Sequence, residues 1–143
     1  VDQGFISHWC WSHLMKKKLK YIGFNGSGMQ VRDILHIDDL CELIFLKIIK
    51  IKKINNLTLS FGGGLNNSIS LKQLTKKLEK ISKNFLNIKK IKQTSFFDIP
   101  YFVASNNDIA DIYQWKPKKN INEIIRDVYN WQKNNIRILK KVF

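Results

Sequence analysis

One predicted helix constrains the fold of this chain more than any other segment. Asp38 or Asp39 is predicted to cap its start, and the sequence then stays apolar nearly all round to about Ile51. The apolar positions are Leu40, Cys41, Leu43, Ile44, Phe45, Leu46, Ile48 and Ile49. A surface helix keeps one polar face, so this helix needs neighbours on more than one side. We therefore expect it to belong to a fold larger than the chain itself.

Short strands and helices alternate along the 143 residues, which is typical of an α/β protein and fits one domain. Strands are predicted at 20–24, 29–36, 57–61, 88–94 and 101–104. Helices are predicted at 4–18, from Asp38 or Asp39, after a capping box that begins at Ser70, at 107–113 and from Asn120. The tryptophans are predicted to be core residues: Trp9, Trp11, Trp115 and Trp131.

The formal net charge of +14 raises the question of nucleic-acid binding. Of the 25 basic residues, 22 are lysine and 3 are arginine, whereas contacts that read bases rely on arginine forks. The lysines are spread along amphipathic helices, which indicates a solvated surface. We therefore predict no nucleic-acid partner, and a basic nucleic-acid-binding protein stays open as the minor alternative.

Composition also bears on the compartment. The sequence contains no run of 18 or more apolar residues, which is the length needed to span a membrane. Residues 1–15 lack the basic start and cleavage site of a signal peptide. Cys10 and Cys41 lie among apolar neighbours, which favours buried, reduced thiols over a disulfide. These features predict a cytoplasmic protein without a membrane partner. The histidines have no metal-ligand spacing, so no metal site is predicted.

The candidate binding residue is Arg32, near the start of a β-branched, strand-like run that leads to Asp38 and Asp39. A guanidinium is always charged, and its planar fork can donate two parallel hydrogen bonds to a phosphate. A strand would hold it rigidly enough to fix where that phosphate lies. The alternative is a surface arginine paired with Asp33 or Asp38, and spacing alone does not separate the two.

Several motifs occur in an order that belongs to one protein family. They are Asp2-Gln3-Gly4, the run from Gly28 to Leu40 with Gln30-Val31-Arg32-Asp33, Gly62-Gly63-Gly64 with Asn66-Asn67-Ser68, Asp98 to Tyr101, and Trp115-Lys116-Pro117. From Val1 to about Trp131 the chain resembles the C-terminal portion of extended short-chain dehydrogenase/reductases, the NAD-dependent epimerases and dehydratases of nucleotide sugars. Within that family the motifs look most like the CDP-paratose (CDP-tyvelose) 2-epimerase group.

The resemblance implies the C-terminal part of an extended Rossmann-type fold. Residues 1–36 would form the first part of a sugar-nucleotide-binding lobe. Residues 37–84 would return to the parallel Rossmann sheet, and residues 85–143 would complete the lobe and add a C-terminal helix. The resemblance also implies a homodimer of the full-length protein.

The resemblance further assigns roles to residues. Arg32 would hold the diphosphate of a nucleotide-diphosphate sugar, the strand Lys20-Tyr21-Ile22 would lie against the nucleotide base, and Gln3 would lie near the sugar or its phosphate. NAD and the catalytic Tyr-x-x-x-Lys pair would belong to a part of the protein before Val1. This segment would then supply substrate contacts and be inactive alone.

Two local patterns are rejected as functional motifs. Tyr129 and Lys133 match Tyr-x-x-x-Lys, but they lie on the last helix, where lysine is frequent and chance matches are common. The triple glycine at 62–64 lacks the Gly-x-Gly-x-x-Gly spacing of a dinucleotide-binding turn, so tight turns explain it better.

The chain also departs from the family pattern. A second phosphate-binding arginine usually stands in an Arg-x-Gly-Asp run, where this chain has Ser95-Phe96-Phe97-Asp98. Losing one charge-assisted contact to phosphate costs about 1.5–3 kcal/mol. A non-catalytic sugar-nucleotide-binding or degenerate module therefore stays open as the main alternative to part of an epimerase.

Overall fold

A computed structural model of the chain describes residues 4–54 and 56–141, and these fall into two compact units. Unit 1 comprises Val1–Val31, Ser70–Tyr101 and Asn122–Phe143, and unit 2 comprises Arg32–Ile69 and Phe102–Ile121. The elements in chain order are α1 (Phe5–Met15), β1 (Lys20–Ile22), β2 (Val31–Asp33), α2 (Ile37–Lys50), β3 (Ser68–Ser70), α3 (Leu71–Ser82), β4 (Lys89–Ile91), β5 (Tyr101–Phe102), α4 (Asn107–Tyr113), α5 (Ile121–Asn134) and α6 (Ile136–Leu139). This mixed architecture confirms the predicted α/β class.

The strands form two small sheets. β1 and β4 pair in parallel, with Lys20 opposite Lys89 and Ile22 opposite Ile91. The other sheet has three strands in the order β3–β2–β5. The predicted strand at 57–61 is wrong, because the structure assigns no strand to those residues. A strand needs a neighbour to take its backbone hydrogen bonds, and the apolar Leu59 and Phe61 instead pack beside the core of unit 2.

The core of unit 1 is built around Thr75 on α3. Its hydroxyl oxygen accepts from Trp9 Nε1 at 3.1 Å and from Tyr21 Oη at 2.8 Å, and it donates to the carbonyl of Leu71 at 2.9 Å. The rings of Trp9 and Tyr21 stack with centroids 6.4 Å apart. A buried polar group is tolerated where its hydrogen bonds are made, so this network fixes α1, β1 and α3 together.

The start of α3 follows the sequence prediction. Ser70 Oγ accepts from the backbone N–H of Gln73 at 3.2 Å, and Gln73 Oε1 accepts from the backbone N–H of Ser70 at 2.9 Å. This reciprocal pair is the predicted capping box. The predicted end of α1 is wrong by about three residues. Lys16 adopts a left-handed conformation with φ 55°, which ends an α-helix.

The core of unit 2 is a cluster in which α2 meets α4. Its buried members are Leu43, Ile109, Tyr113 and Trp115. The predicted cap of α2 is wrong: His36 occupies that position, and its Nδ1 accepts from the backbone N–H of Asp38 at 3.1 Å. Asp38 and Asp39 lie in the first turn instead, where carboxylates also stabilise a helix.

Among the described residues, other side chains cover only one side of α2, although its apolar residues lie nearly all round the helix. Leu43 is fully buried, but an adjacent set of apolar side chains is 47–62% exposed: Ile44, Phe45, Ile48 and Ile49. We call these four residues the open face of α2. Ile51 and Leu57 continue the exposed apolar surface beyond the helix. A patch of this kind is uncommon on a monomer that has no partner.

Two predictions of burial are wrong for individual residues. Trp9, Trp11 and Trp115 are buried, but Trp131 is 59% exposed because it lies on the outer face of α5. Both cysteines are free thiols, yet only Cys10 is buried and Cys41 is exposed. Burial raises the pKa of the Cys10 thiol to about 12. Within residues 4–54 and 56–141, no helix is long and apolar enough to cross a membrane.

Candidate functional site

Arg32 lies in the middle of β2, as the sequence predicts, and is half-buried. A central strand position restricts the guanidinium more than a loop would, because the backbone on both sides is hydrogen-bonded. On the unit 2 side, the N–H of Ile34 donates to the carbonyl of Asn67 at 3.1 Å. The strand therefore presents a cation from a fixed backbone.

Asp33, the next residue, ties β2 to two loops of unit 2. Its Oδ2 accepts from the backbone N–H of Gly64 at 2.9 Å and from that of Ala104 at 3.3 Å. These bonds use the carboxylate as a structural acceptor.

The triple glycine makes close backbone approach possible. A Cβ on Gly63 would lie 2.5 Å from the carbonyl carbon of Ile34 and 2.7 Å from its nitrogen. The peptide on either side of Gly62 is held by Asn106, whose Oδ1 accepts from Gly62 N–H at 2.9 Å and whose Nδ2 donates to the Gly62 carbonyl at 3.0 Å. The glycines thus pack this loop against β2, in line with their interpretation as turn residues.

A cleft opens on unit 2 beside this loop. It has a volume of about 540 Å³ and is lined by residues 63–67, 104–107 and 116–120. Asp39 lies beneath one wall, where its two carboxylate oxygens accept from the backbone N–H groups of Lys118 and Lys119, each at 3.1 Å. Asparagines and lysines share the lining of the cleft with apolar side chains such as Leu65 and Pro117, and Arg32 is not among its lining residues.

The strand predicted to lie against a nucleotide base is β1 in unit 1. Lys20 and Ile22 are exposed on one face, whereas Tyr21 is only 9% exposed. Burial raises the pKa of the Tyr21 hydroxyl, which donates to Thr75. The Tyr21 side chain is therefore a core group, and only Lys20, Ile22 and the backbone of β1 can reach a ligand.

The candidate residues fall into different parts of the structure. Lys20, Tyr21 and Ile22 share β1 in unit 1, and Arg32 belongs to unit 2. Gln3, the remaining candidate, lies outside the described residues. No cluster of three or more His, Cys, Asp or Glu side chains that could hold a metal ion occurs within the described part of the chain.

Tyr129 and Lys133 do not provide an activated tyrosine. Tyr129 is 7% exposed, and burial raises the pKa of its hydroxyl, with the nearby Cys10 thiol adding to the rise. A catalytic tyrosine that works as a base needs its pKa lowered toward neutrality. The direction found here is opposite, so this pair carries no proton-transfer chemistry in our account.

The turn at 95–98 presents a feature that sequence analysis treated only as a departure. The phenyl rings of Phe96 and Phe97 are 95% and 90% exposed. Their centroids are 5.5 Å apart and the rings are nearly perpendicular, at 86°. The only sequence signal was two adjacent aromatic residues in a segment with no helix or strand period.

Sequence comparison identifies relatives of the chain. No protein-family model matches the chain. A CDP-paratose 2-epimerase of Salmonella typhi is 31% identical over an alignment of 135 residues, and the alignment covers 91% of this chain and 39% of that protein. A UDP-glucuronate 4-epimerase of Thermodesulfobacterium geofontis is 28% identical over 86% of this chain and 36% of that protein. The resemblance to nucleotide-sugar epimerases is confirmed.

Structural comparison shows the same fold. The crystal structure of UDP-glucuronic acid 4-epimerase from Bacillus cereus, in complex with UDP-glucuronic acid and NAD, matches with a TM-score of 0.81 at 20% identity. The match covers 92% of this chain and 40% of that one. The chain thus has the Rossmann-type α/β fold of the matching part of that structure, and it spans well under half the length of these relatives.

Proposed function

We propose that this chain is the substrate-binding part of an NAD-dependent nucleotide-sugar epimerase. The observation that carries the proposal is the 31% identity to a CDP-paratose 2-epimerase over 91% of the chain. Arg32 adds a chemical reason, because it is a cation held on a strand and suited to a diphosphate. In this proposal Arg32 binds the diphosphate, β1 lies along the base through Lys20 and Ile22, and Gln3 approaches the sugar.

The redox chemistry lies outside this chain in our proposal. Tyr129 is buried with a raised pKa and is not available as the catalytic tyrosine. NAD, which accompanies UDP-glucuronic acid in the Bacillus cereus epimerase structure, would be held by a further portion of the enzyme. When bound, that cofactor would accept and return a hydride. The 143-residue chain alone would bind nucleotide sugar and not turn it over.

The open face of α2 supports a second part of the proposal. Residues 37–84 would contribute to a larger Rossmann sheet, and that sheet would cover Ile44, Phe45 and the neighbouring apolar side chains. The relatives are more than twice as long as the matched segment, which accounts for only 39% and 36% of their lengths. A larger parallel sheet covered by helices is the usual setting of an apolar helix in such folds.

We expect Arg32→Ala to weaken the binding of CDP and UDP about 10- to 100-fold. A hydrogen bond to a charged group contributes about 1.5–3 kcal/mol, and each 1.4 kcal/mol is a factor of ten in affinity. Isothermal titration of the purified chain with CDP, UDP and inorganic diphosphate measures the effect. Because the contact is to phosphate, the loss should be the same for all three ligands.

A matched control removes the same charge elsewhere. Arg137 is an exposed arginine on α6, and Arg137→Ala lowers the net charge equally while leaving β2 unchanged. We expect it to alter diphosphate affinity less than twofold. Equal losses in the two variants would mean that the phosphate is attracted by net charge alone, which would contradict the proposed role of Arg32.

The open face of α2 makes a separate prediction. The purified chain should enhance the fluorescence of the apolar-surface dye ANS, and Phe45→Gln combined with Ile48→Gln should reduce that enhancement by more than half. The reason is that these side chains are 62% and 61% exposed. Phe85→Gln is the control, since Phe85 is 79% exposed but belongs to unit 1. A chain that does not bind ANS would contradict the proposal of an uncovered docking face.

A further inference from the structure

The cleft of unit 2 has no role in the proposed function. Its lining residues, at 63–67, 104–107 and 116–120, all belong to unit 2, and Arg32 is not one of them. Two of the segments that carry the family resemblance contribute to its walls, namely the triple-glycine segment and the Trp-Lys-Pro segment. The proposed function assigns a ligand to neither segment.

Two buried polar side chains hold the walls of the cleft in place. Asn67 is 4% exposed, and its Nδ2 donates to the carbonyl of Lys119 at 2.9 Å. Asp39 is 3% exposed and accepts from the N–H groups of Lys118 and Lys119. The segment at 116–120 is thus joined both to the glycine loop and to α2. A cleft whose walls are fixed in advance loses less conformational entropy when it binds a ligand.

The third wall, at 104–107, is attached in the same way. Asn106 makes two hydrogen bonds to the backbone of Gly62, and the N–H of Ala104 donates to Asp33 Oδ2. Three segments that are distant in sequence are therefore brought to one cleft by side chains that bond to backbone groups. Binding residues are often found on loops that a rigid scaffold positions in this manner.

The lining of the cleft favours an anion. Lys116 and Lys118 are exposed and Lys119 is half-buried, and none of the described lining residues is an aspartate or a glutamate. Lys118 Nζ is paired with Glu42 Oε1 at 2.5 Å, which neutralises one of the three charges. Lys116 forms no ion pair within the part of the chain that the structure describes, so its ammonium group is available to a ligand.

The rest of the lining suits a molecule with hydroxyl groups. Asn66 and Asn107 are exposed at the cleft, and a carboxamide both donates and accepts hydrogen bonds, as a hydroxyl does. Leu65 is 71% exposed, and Pro117 lies in the same lining. Covering such apolar surface is favourable, and the C–H face of a sugar ring can pack against it.

We propose that the cleft of unit 2 binds a sugar that carries a negative charge, either a phosphate or a carboxylate. Lys116 attracts the anionic group, the amides of Asn66 and Asn107 bond to hydroxyl groups, and Leu65 contacts the ring. The volume of about 540 Å³ lies within the range of about 300–1,000 Å³ that is usual for small-molecule sites. Because Arg32 does not line the cleft, this inference goes beyond the proposed function.

Two other anions fit the cleft less well. The described lining contains no aromatic side chain, so the base of a nucleotide would find no ring on which to stack. Inorganic phosphate would leave Leu65 uncovered and would not use the paired donor and acceptor of each asparagine amide. A charged sugar uses all three kinds of lining group.

The test follows the side-chain amide signals of Asn66 and Asn107 in proton–nitrogen correlation spectra of the chain. Glucose 1-phosphate and glucuronic acid are the two probes, and we expect saturable shifts of these signals with at least one of them. Uncharged glucose and inorganic phosphate should each bind about tenfold more weakly. Lys116→Ala should weaken binding about tenfold, the loss expected for one hydrogen bond to a charged group.

A second variant and a control keep the test independent of folding and of net charge. Asn66→Trp places a large side chain at an exposed position of the lining and should abolish the shift of the Asn107 signal. Lys53→Ala removes an exposed lysine of unit 2 that does not line the cleft. We expect this control to change the affinity less than twofold.

The outcomes also separate this inference from the proposed function. If Arg32→Ala abolishes the shifts and Lys116→Ala does not, the charged sugar binds at the diphosphate position and the inference is overturned. Equal losses in Lys116→Ala and Lys53→Ala would reduce it to attraction by net charge, and the absence of shifts with both probes would leave the cleft without this ligand. The proposed function fails separately, if binding of CDP and diphosphate does not depend on Arg32.

Discussion

Replacing Gly63 with alanine should destabilise unit 2 by at least about 3 kcal/mol, the upper end of the usual range for overpacking. The added Cβ would lie within 2.7 Å of both the nitrogen and the carbonyl carbon of Ile34. These are backbone atoms of a segment whose N–H is bonded to Asn67, so they cannot rotate away as a side-chain end would. The loop at 62–64 would have to separate from β2.

Urea unfolding followed by near-ultraviolet circular dichroism measures this effect. Asn66→Ala is the control, because Asn66 lies in the same loop but is exposed, and it should shift the midpoint only slightly. A Gly63→Ala protein with the midpoint of the unaltered chain would show that the loop does not pack against Ile34 in solution. The N–H of Gly64 donates a hydrogen bond to the carboxylate of Asp33, which is next to Arg32 in sequence. We therefore also expect Gly63→Ala to weaken the binding of diphosphate by Arg32.

Replacing Asp39 with alanine should lower the free energy of unfolding by about 2–6 kcal/mol. Asp39 is 3% exposed, and its two oxygens accept from the N–H groups of Lys118 and Lys119. The alanine variant would leave two backbone donors without their partner, at about 1–3 kcal/mol for each unsatisfied buried group. The segment at 116–120, which lines the cleft of unit 2, would lose its attachment to α2.

Asp38→Ala is the matched control for this prediction, because it removes a neighbouring carboxylate from the same helix turn. The Asp38 side chain is 71% exposed, and a carboxylate in the first turn of a helix contributes about 0.3–1 kcal/mol. Thermal unfolding at neutral pH should therefore separate the two variants by several degrees. Similar melting temperatures would mean that Asp39 does not hold the segment at 116–120.

These two predictions concern the support of the candidate site. Asp33 fastens β2 to Gly64 and Ala104, and Gly63 lets that loop lie against Ile34. Arg32 is the residue before Asp33, so these contacts hold the backbone next to it. A residue that binds a diphosphate works best when its backbone is fixed by such contacts, so the stability of unit 2 and the affinity for phosphate are expected to change together.

Local rules predicted the elements whose bonds are short in sequence. The capping box of Ser70 and Gln73 and the start of α3 follow from two residues three positions apart. The helix predicted at 107–113 is observed as Asn107–Tyr113. Arg32 was placed correctly on a strand by the β-branched run around it. The family resemblance could also be detected from the sequence, because its motifs are short and occur in order.

The wrong predictions concern features that depend on distant partners. The residues at 57–61 have strand propensity, yet a strand forms only where another strand lies alongside. Trp131 was assigned to the core by its type, but the buried residues of α5 are Ile124, Ile125, Tyr129 and Gln132. His36 competes with the two aspartates as the cap of α2, and the backbone conformation at the helix start decides between them.

The sequence by itself therefore determined the α/β class, the family resemblance and the position of Arg32, because each depends on residues that are close together along the chain. Only the tertiary structure decided the role of Asp39, whose partners Lys118 and Lys119 are 79 and 80 positions away. It also decided that Gly63 must be a glycine and that Phe96 and Phe97 face solvent. Contacts between residues far apart in sequence exist only once the chain has folded, so no local pattern can specify them.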